Sequence, residues 1–378
     1  MFLLHITKAT GIAGSENHLL ILLEGLRARG HDARLLLLVE PGNPVQEMVD
    51  AAAARGIPVE RMVIHGHLDP ALLVRLARRL RILRPDVVHT HLFHADLYGI
   101  LAVRLARIPL VVSSRHNDNA FRRRFPYRQI NRVLWWLTDA GIGISAAITR
   151  FAINVEGASP AQMKTIHYGL PPTVQVADRQ AARVALRAEL GLPADAPLLG
   201  MVCRLIPQKG IPYALRAFAQ VAAQFPTAHV VIAGDGVLRD ALEALAYDLG
   251  LGARVHFLGW RTDTPRIFAA LDIFLMPSLW EGFGLVLLEA MAQAVPVIGS
   301  AVSAIPEVVA DGETGLLCPP EDVACLAEAM TALLADPERR AAMGAAGRER
   351  LETHFSPDRM VEETIAVYEQ LMRRQGTD

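Results

Sequence analysis

The sequence predicts an α/β protein built from two parallel-sheet domains. Three observations carry that reading. At 378 residues the chain exceeds one ordinary domain and suits two. Strand-like apolar runs alternate with helical patterns along its whole length, which is the pattern of parallel sheets covered by helices. The near-neutral net charge of −1 hides an asymmetry between the halves. Residues 1–178 carry 21 Lys and Arg against 14 Asp and Glu, and the remainder carries 17 against 25. A basic half and an acidic half point to two domains with different partners, or to a dipole that helps them pack.

The first half opens with a strand over 2–6. Gly11-Ile-Ala-Gly14 makes a loop, and a helix over 15–29 follows, closed by Gly30. Strand, glycine loop and helix begin a Rossmann-type unit, although the loop lacks the full G-x-G-x-x-G fingerprint. Further strands are predicted at 33–39, 59–64, 86–91, 110–114 and 141–145. The helices between them are expected over 44–55, 70–83, 95–107 and 127–137. Ligands on such sheets bind at the carboxyl ends of strands. That rule draws attention to Ser113-Ser-Arg-His-Asn117, where His116 would face the ligand side. His89, His91 and His94 lie close in sequence, but no Cys or paired acid accompanies them, so no metal site is expected.

Phe121-Arg-Arg-Arg-Phe125, with Arg128, Arg132, Trp135 and Trp136, is basic and aromatic. It reads either as a surface for an anionic membrane or as a solvated loop ahead of a core helix. Nucleic acid is disfavoured, because no binding motif is visible and the isoelectric point is near neutral.

The second strand-helix series opens at 198–204 and includes strands at 230–233 and 254–260 and a helix over 238–249. Arg204 and Lys209 stand five apart after a strand end, a spacing that lets two cations grip a diphosphate. The series centres on residues 272–298. An apolar strand stops at Pro277, and Glu281-Gly-Phe-Gly284 forms a loop. A helix over 285–294 follows, and Val295-Pro-Val-Ile298 resumes a buried strand. A helix starting straight after a glycine loop presents backbone N–H groups to an anion. Glu281 and Glu289 flank the turn, and carboxylates suit hydroxyls rather than phosphate. The ligand that fits has phosphates in the middle and sugar hydroxyls at both ends, which describes a nucleotide sugar. Helices over 323–334, 337–354 and 357–372 complete the chain.

The string Glu281-Gly-Phe-Gly284, then Glu289-Ala-Met291, closely resembles the Glu-x7-Glu signature of retaining glycosyltransferases of family four, also called group 1, which have the two-domain GT-B fold. Arg204-Leu-Ile-Pro-Gln-Lys-Gly210 resembles the same family's Arg…Lys-Gly motif, and the resemblance covers nearly the whole chain. It implies two Rossmann-like domains facing across a cleft, residues 1–172 on the acceptor side and 173–356 on the donor side. It also implies a last helix, in 357–378, crossing back to the first domain. The implied catalytic residues are His116, Glu281, Arg204 and Lys209. The implied donor contacts add Gly14, Gly282, Phe283, Gly284, Leu285, Val286 and Glu289. Gly14 also reads as part of an ordinary tight turn. Three positions where the family has glycine differ, at Ala294 and at Ser303 and Ala304 of Ser303-Ala-Ile-Pro-Glu307.

The implied reaction moves a sugar from a nucleotide-sugar donor, UDP-sugar before GDP-sugar, to a saccharide or lipid-linked acceptor in cell-surface glycan synthesis. No Asp-x-Asp motif appears, so neither metal nor cofactor is expected. Competing readings are a GT-B phosphorylase or epimerase, a Rossmann oxidoreductase and a non-catalytic partner subunit. No apolar run reaches the length of a membrane span, and the start of the chain reads as a strand rather than a signal peptide. Three sparse cysteines suit a reducing compartment. The expected location is therefore cytoplasmic, with contact at the inner membrane face left open.

Overall fold

The computed structural model describes residues 1–66, 68–171 and 176–375. The chain forms two units. The first comprises Met1–Gly169 together with the chain from Ser356 on, and the second is Leu170–Phe355. The expected boundary between 172 and 173 lies outside the described residues.

In the first unit, seven parallel strands are ordered β3-β2-β1-β4-β5-β6-β7. They are β1 (Phe2–Lys8), β2 (Asp32–Val39), β3 (Val59–Val63), β4 (Val87–His91), β5 (Leu110–Arg115), β6 (Ala140–Gly143) and β7 (Met163–Thr165). β2 is almost continuously apolar because helices cover both sheet faces, so alternation with polar residues disappears. Leu4 and Ile6 pack on one face with Leu72, Leu76 and Leu80 of helix Pro70–Leu83. Leu3 packs on the other face with Leu19, Leu23 and Leu26 of helix Gly14–Ala28. Helix Pro357–Gln375 adds Met360, Val361 and Tyr368 to that second face. His5 and His89 are register partners across β1 and β4, as are Thr7 and His91, so three imidazoles share this face near the strand ends.

The second unit holds six parallel strands ordered β10-β9-β8-β11-β12-β13. They are β8 (Leu198–Val202), β9 (His229–Ala233), β10 (Val255–Gly259), β11 (Ile273–Met276), β12 (Val297–Ser300) and β13 (Gly315–Cys318). In both sheets the order reverses once, between β1 and β4 and between β8 and β11. These are the switch points where crevices open at carboxyl ends of strands.

Two expectations change. The helix predicted over 95–107 is interrupted, with a wide turn at Asp96–Ile100 between Phe93–Ala95 and Leu101–Ala106. A second wide turn occupies Ala152–Glu156. The carboxylates at the ends of these turns enter a buried ion cluster. Arg115 donates from Nη1 to Asp96 at 2.6 Å and from Nε to Glu156 at 2.7 Å, and Arg122 donates to Glu156 at 2.9 Å. All four side chains are buried, and the Arg115 guanidinium lies over the Trp135 ring. The cysteines also depart from the reduced state expected of them. Cys318 ends β13, and Cys325 sits in the first turn of helix Val323–Ala335, which Asp322 caps. That turn brings the two Cα atoms to 5.7 Å, and the sulfurs form a disulfide.

Candidate functional site

The second unit gathers the predicted donor-side residues at its switch point. The segment after β8 and the loop after β11 lie side by side. Gln208 Nε2 donates to the Trp280 carbonyl at 2.9 Å, and Leu279 N–H donates to the Gln208 carbonyl at 2.8 Å. Gly210 has φ 61°, and a Cβ there would fall 1.8 Å from the Pro277 carbonyl oxygen, so the approach requires glycine. It brings Lys209 Nζ to 2.6 Å from Glu281 Oε2, with both side chains mostly buried. The two expected phosphate cations are therefore not equivalent. Arg204 is exposed, whereas Lys209 is already paired with an acid.

Helix Leu285–Ala292 starts directly after this loop. Its first turn has no side-chain cap, because Gly284 stands at the N-cap with φ 86°. Gly282, Phe283 and Gly284 are buried, and Phe283 packs edge-on against Phe355 with ring centres 6.0 Å apart, which fixes the loop. Leu285 and Val286 are half-buried at the helix start, and Glu289 is one turn further on. Burial pushes the Glu289 carboxyl up to about 7, so it stands near half-ionised at neutral pH. Ser278 was missed by sequence reasoning. It is buried beside the loop, and its Oγ has no hydrogen-bond partner among the described residues. A hydroxyl following a strand-ending proline at a switch point is the sequence signal that could have found it.

Ala294 and Ser303 both adopt left-handed backbone, at φ 53° and 51°. At both positions a residue with a Cβ holds a conformation that glycine adopts most readily.

In the first unit, Gly14 begins helix Gly14–Ala28 and is exposed. His116 follows β5 immediately and is buried, with both ring nitrogens engaged. Its Nε2 lies 3.0 Å from His91 Nδ1, and its Nδ1 meets the Tyr168 hydroxyl. Burial, then the nearby Arg115 and Arg122 guanidiniums, push it down to about 3, so it is neutral. The neighbouring Asn117 Oδ1 and His18 Nδ1 are buried without partners, and the His18 ring stacks on Tyr168 with centres 4.0 Å apart.

His5 joins His89 and His91, a residue that sequence spacing could not place there. One nitrogen from each lies within 4.8 Å of the others, which is close enough for a metal ion to draw on. All six ring nitrogens nevertheless already have hydrogen-bond partners in His5, His91, His116, Tyr368 and Ser114. The cluster's hydrogen bonds are thus satisfied by its protein neighbours.

Two parallel sheets, each with one switch point and helices on both faces, define a doubly wound α/β protein. Among family models, residues 13–169 match the glycosyl transferase 4-like domain, and residues 183–350 match glycosyl transferases group 1. The chain belongs to the group 1 glycosyltransferases. It is 36% identical to the D-inositol 3-phosphate glycosyltransferase of Mycobacterium avium, over 78% of this chain and 71% of that protein. An uncharacterized glycosyltransferase of Methanocaldococcus jannaschii is 27% identical, over 97% of this chain and 96% of its own. Among solved structures, Anabaena HepE in complex with UDP-glucose superposes with a TM-score of 0.82 at 24% identity, covering 97% of this chain and all of that one. The fold is thus GT-B. Among the described residues, no helix is long and apolar enough to cross a membrane.

Proposed function

We propose that this enzyme transfers a sugar, with retention, from a nucleotide-sugar donor to a saccharide or lipid-linked acceptor in cell-surface glycan synthesis, without a metal ion. A UDP-sugar is favoured over a GDP-sugar. The observation that carries the reading is the Lys209–Glu281 pair beside the uncapped start of helix Leu285–Ala292. An ammonium has three donors, and Glu281 takes one, so two remain for a donor diphosphate. The second oxygen of Glu281 is left for a sugar hydroxyl. In this reading Arg204 grips the diphosphate from the other side, and the amides of Leu285 and Val286 meet it head-on. Glu289 takes the ribose hydroxyls and His116 serves the transferred sugar. HepE, solved with UDP and with UDP-glucose, lends weight to uridine.

The reading is tested by a mass-spectrometric screen of nucleotide sugars against saccharide and lipid-linked acceptors. Turnover with a UDP-sugar that survives EDTA is the expected result. Phosphorolysis or epimerisation in its place would favour the alternative GT-B activities, and a thermal shift with NAD alone would favour an oxidoreductase. Arg204→Ala should weaken UDP binding about tenfold in calorimetry, the loss of one charge-assisted contact.

A second surface supports peripheral membrane contact at the cytoplasmic face. Arg123, Arg124, Arg128 and Arg132 are exposed together with Phe125, Tyr127, Val133 and Trp136, while Arg122 and Trp135 turn inward. Flotation with anionic vesicles that fades with salt is expected, and equal recovery with neutral vesicles would refute it.

A further inference from the structure

A continuous chain of hydrogen bonds runs through the first unit. It begins at the Tyr168 hydroxyl and passes through His116 and His91. It continues from His91 Nε2 to His5 Nδ1 at 2.9 Å, and from His5 Nε2 to the Tyr368 hydroxyl at 3.4 Å. Tyr368 also meets His89 Nδ1 at 2.6 Å, and His89 Nε2 reaches Ser114 Oγ at 2.8 Å. All these groups are buried.

A neutral imidazole carries one proton, on one nitrogen, and accepts at the other. Each imidazole–imidazole link needs one proton, neither two nor none. If His116 carries its proton on Nε2, His91 must accept at Nδ1 and carry its own on Nε2, and so must His5. If His116 carries its proton on Nδ1, the same reasoning places both others on Nδ1. Mixed arrangements leave two buried lone pairs, or two N–H groups, facing each other, at a cost comparable to a lost buried hydrogen bond.

We propose that His5, His91 and His116 share one tautomer as a unit, and that His91 and His5 are positioning residues which set the nitrogen of His116 that carries its proton. Burial holds the three imidazoles well below the ordinary histidine range, so the neutral-chain count applies. The chain also ties His116, at the carboxyl end of β5, to Tyr368 on the C-terminal helix, at the far end of the sequence. That His116 serves the transfer step rests on the glycosyltransferase reading; the shared tautomer does not.

Two-bond 1H–15N imidazole spectra of the full-length, 15N-histidine-labelled protein read the tautomers directly. His5, His91 and His116 are expected to agree, and a mixed set overturns the chain. His91→Phe cuts it, so the tautomers of His116 and His5 should become independent. kcat should then drop about tenfold with UDP affinity unchanged, as expected of partners that orient a functional imidazole. His91→Gln supplies one acceptor and one donor and should restore both the spectra and kcat. It also keeps the test alive should His91→Phe fail to fold. Agreed tautomers with a fully active His91→Phe enzyme would overturn the positioning role, as would His91→Gln losing as much activity as His91→Phe. A wild type without any transferase activity would refute the function while leaving the spectra to decide the chain.

Discussion

At the scale of single residues, Glu289 has the most measurable chemistry. Folding raises its pKa from 4.5 to about 7 by burial. The folded state therefore holds an extra proton across that window, and stability falls as pH rises through it, levelling off above. Glu289→Gln removes the cost of the buried charge. Because the side chain keeps one edge open to solvent, the gain expected in denaturant titrations at about pH 8 is about 2 kcal/mol, vanishing near pH 4. The same variant should bind UDP more weakly. Wild-type affinity should rise between about pH 6 and about pH 8 as the carboxylate ionises to accept ribose hydroxyls, while the variant stays flat. A wild-type profile as flat as the variant's would detach Glu289 from the ribose. Ala294 and Ser303 make a separate case. Each sits in left-handed backbone that disfavours a Cβ, so Ala294→Gly and Ser303→Gly should each add about 0.5–1 kcal/mol in thermal unfolding, net of glycine's extra chain entropy.

At the scale of elements, the wide turns Asp96–Ile100 and Ala152–Glu156 each place one carboxylate beside Arg115 and Arg122. Removing one member strands the opposite charge, so Glu156→Ala should cost about 3–5 kcal/mol in chemical denaturation. A loss below about 1 kcal/mol would show that the cluster contributes little. These turns explain what could not be read from sequence. A helical period fitted over 95–107 has no means of registering an inserted residue, and Asp96 and Glu156 each look like an exposed acid. Helices Pro70–Leu83 and Pro337–His354 were legible to the residue, because Asp69 and Asp336 cap them and proline opens each. Helix Ile211–Val221 was not among the expected elements, although Gly210 at its N-cap and Pro212 in its first turn mark its start. The loop and helix around residues 281–292 were visible because a strand-ending proline, a glycine loop and a run of strong helix formers mark that turn. The imidazole chain was not visible, because it joins residues 5, 91 and 116 through strand register alone.

At the scale of the whole molecule, the first unit is discontinuous. Its last helix fills the groove along helix Gly14–Ala28 so closely that a Cβ on Gly25 would fall 2.5 Å from Val361 Cγ2. Met360, Val361, Val367, Tyr368 and Leu371 are buried in the core of the first unit. At about 1.5–3 kcal/mol per buried side chain, their loss rivals the stability of an ordinary domain. Residues 1–169 expressed alone should therefore lack cooperative thermal unfolding by near-UV circular dichroism. Adding a peptide of residues 356–375 should restore it, and a sharp transition without the peptide would contradict the role given to the helix. Arg115 and Arg122 are buried against Asp96 and Glu156, which removes two charges of each sign and leaves the basic excess of this half on its surface undiminished. The division of the chain bears on its biosynthesis as well. Leu170–Phe355 is one uninterrupted stretch and can close its core as soon as it leaves the ribosome, whereas the sheet that precedes it must wait for the final helix. The half made first is thus completed last, and until then a nascent chain leaves open the side of helix Gly14–Ala28 that Val361 covers.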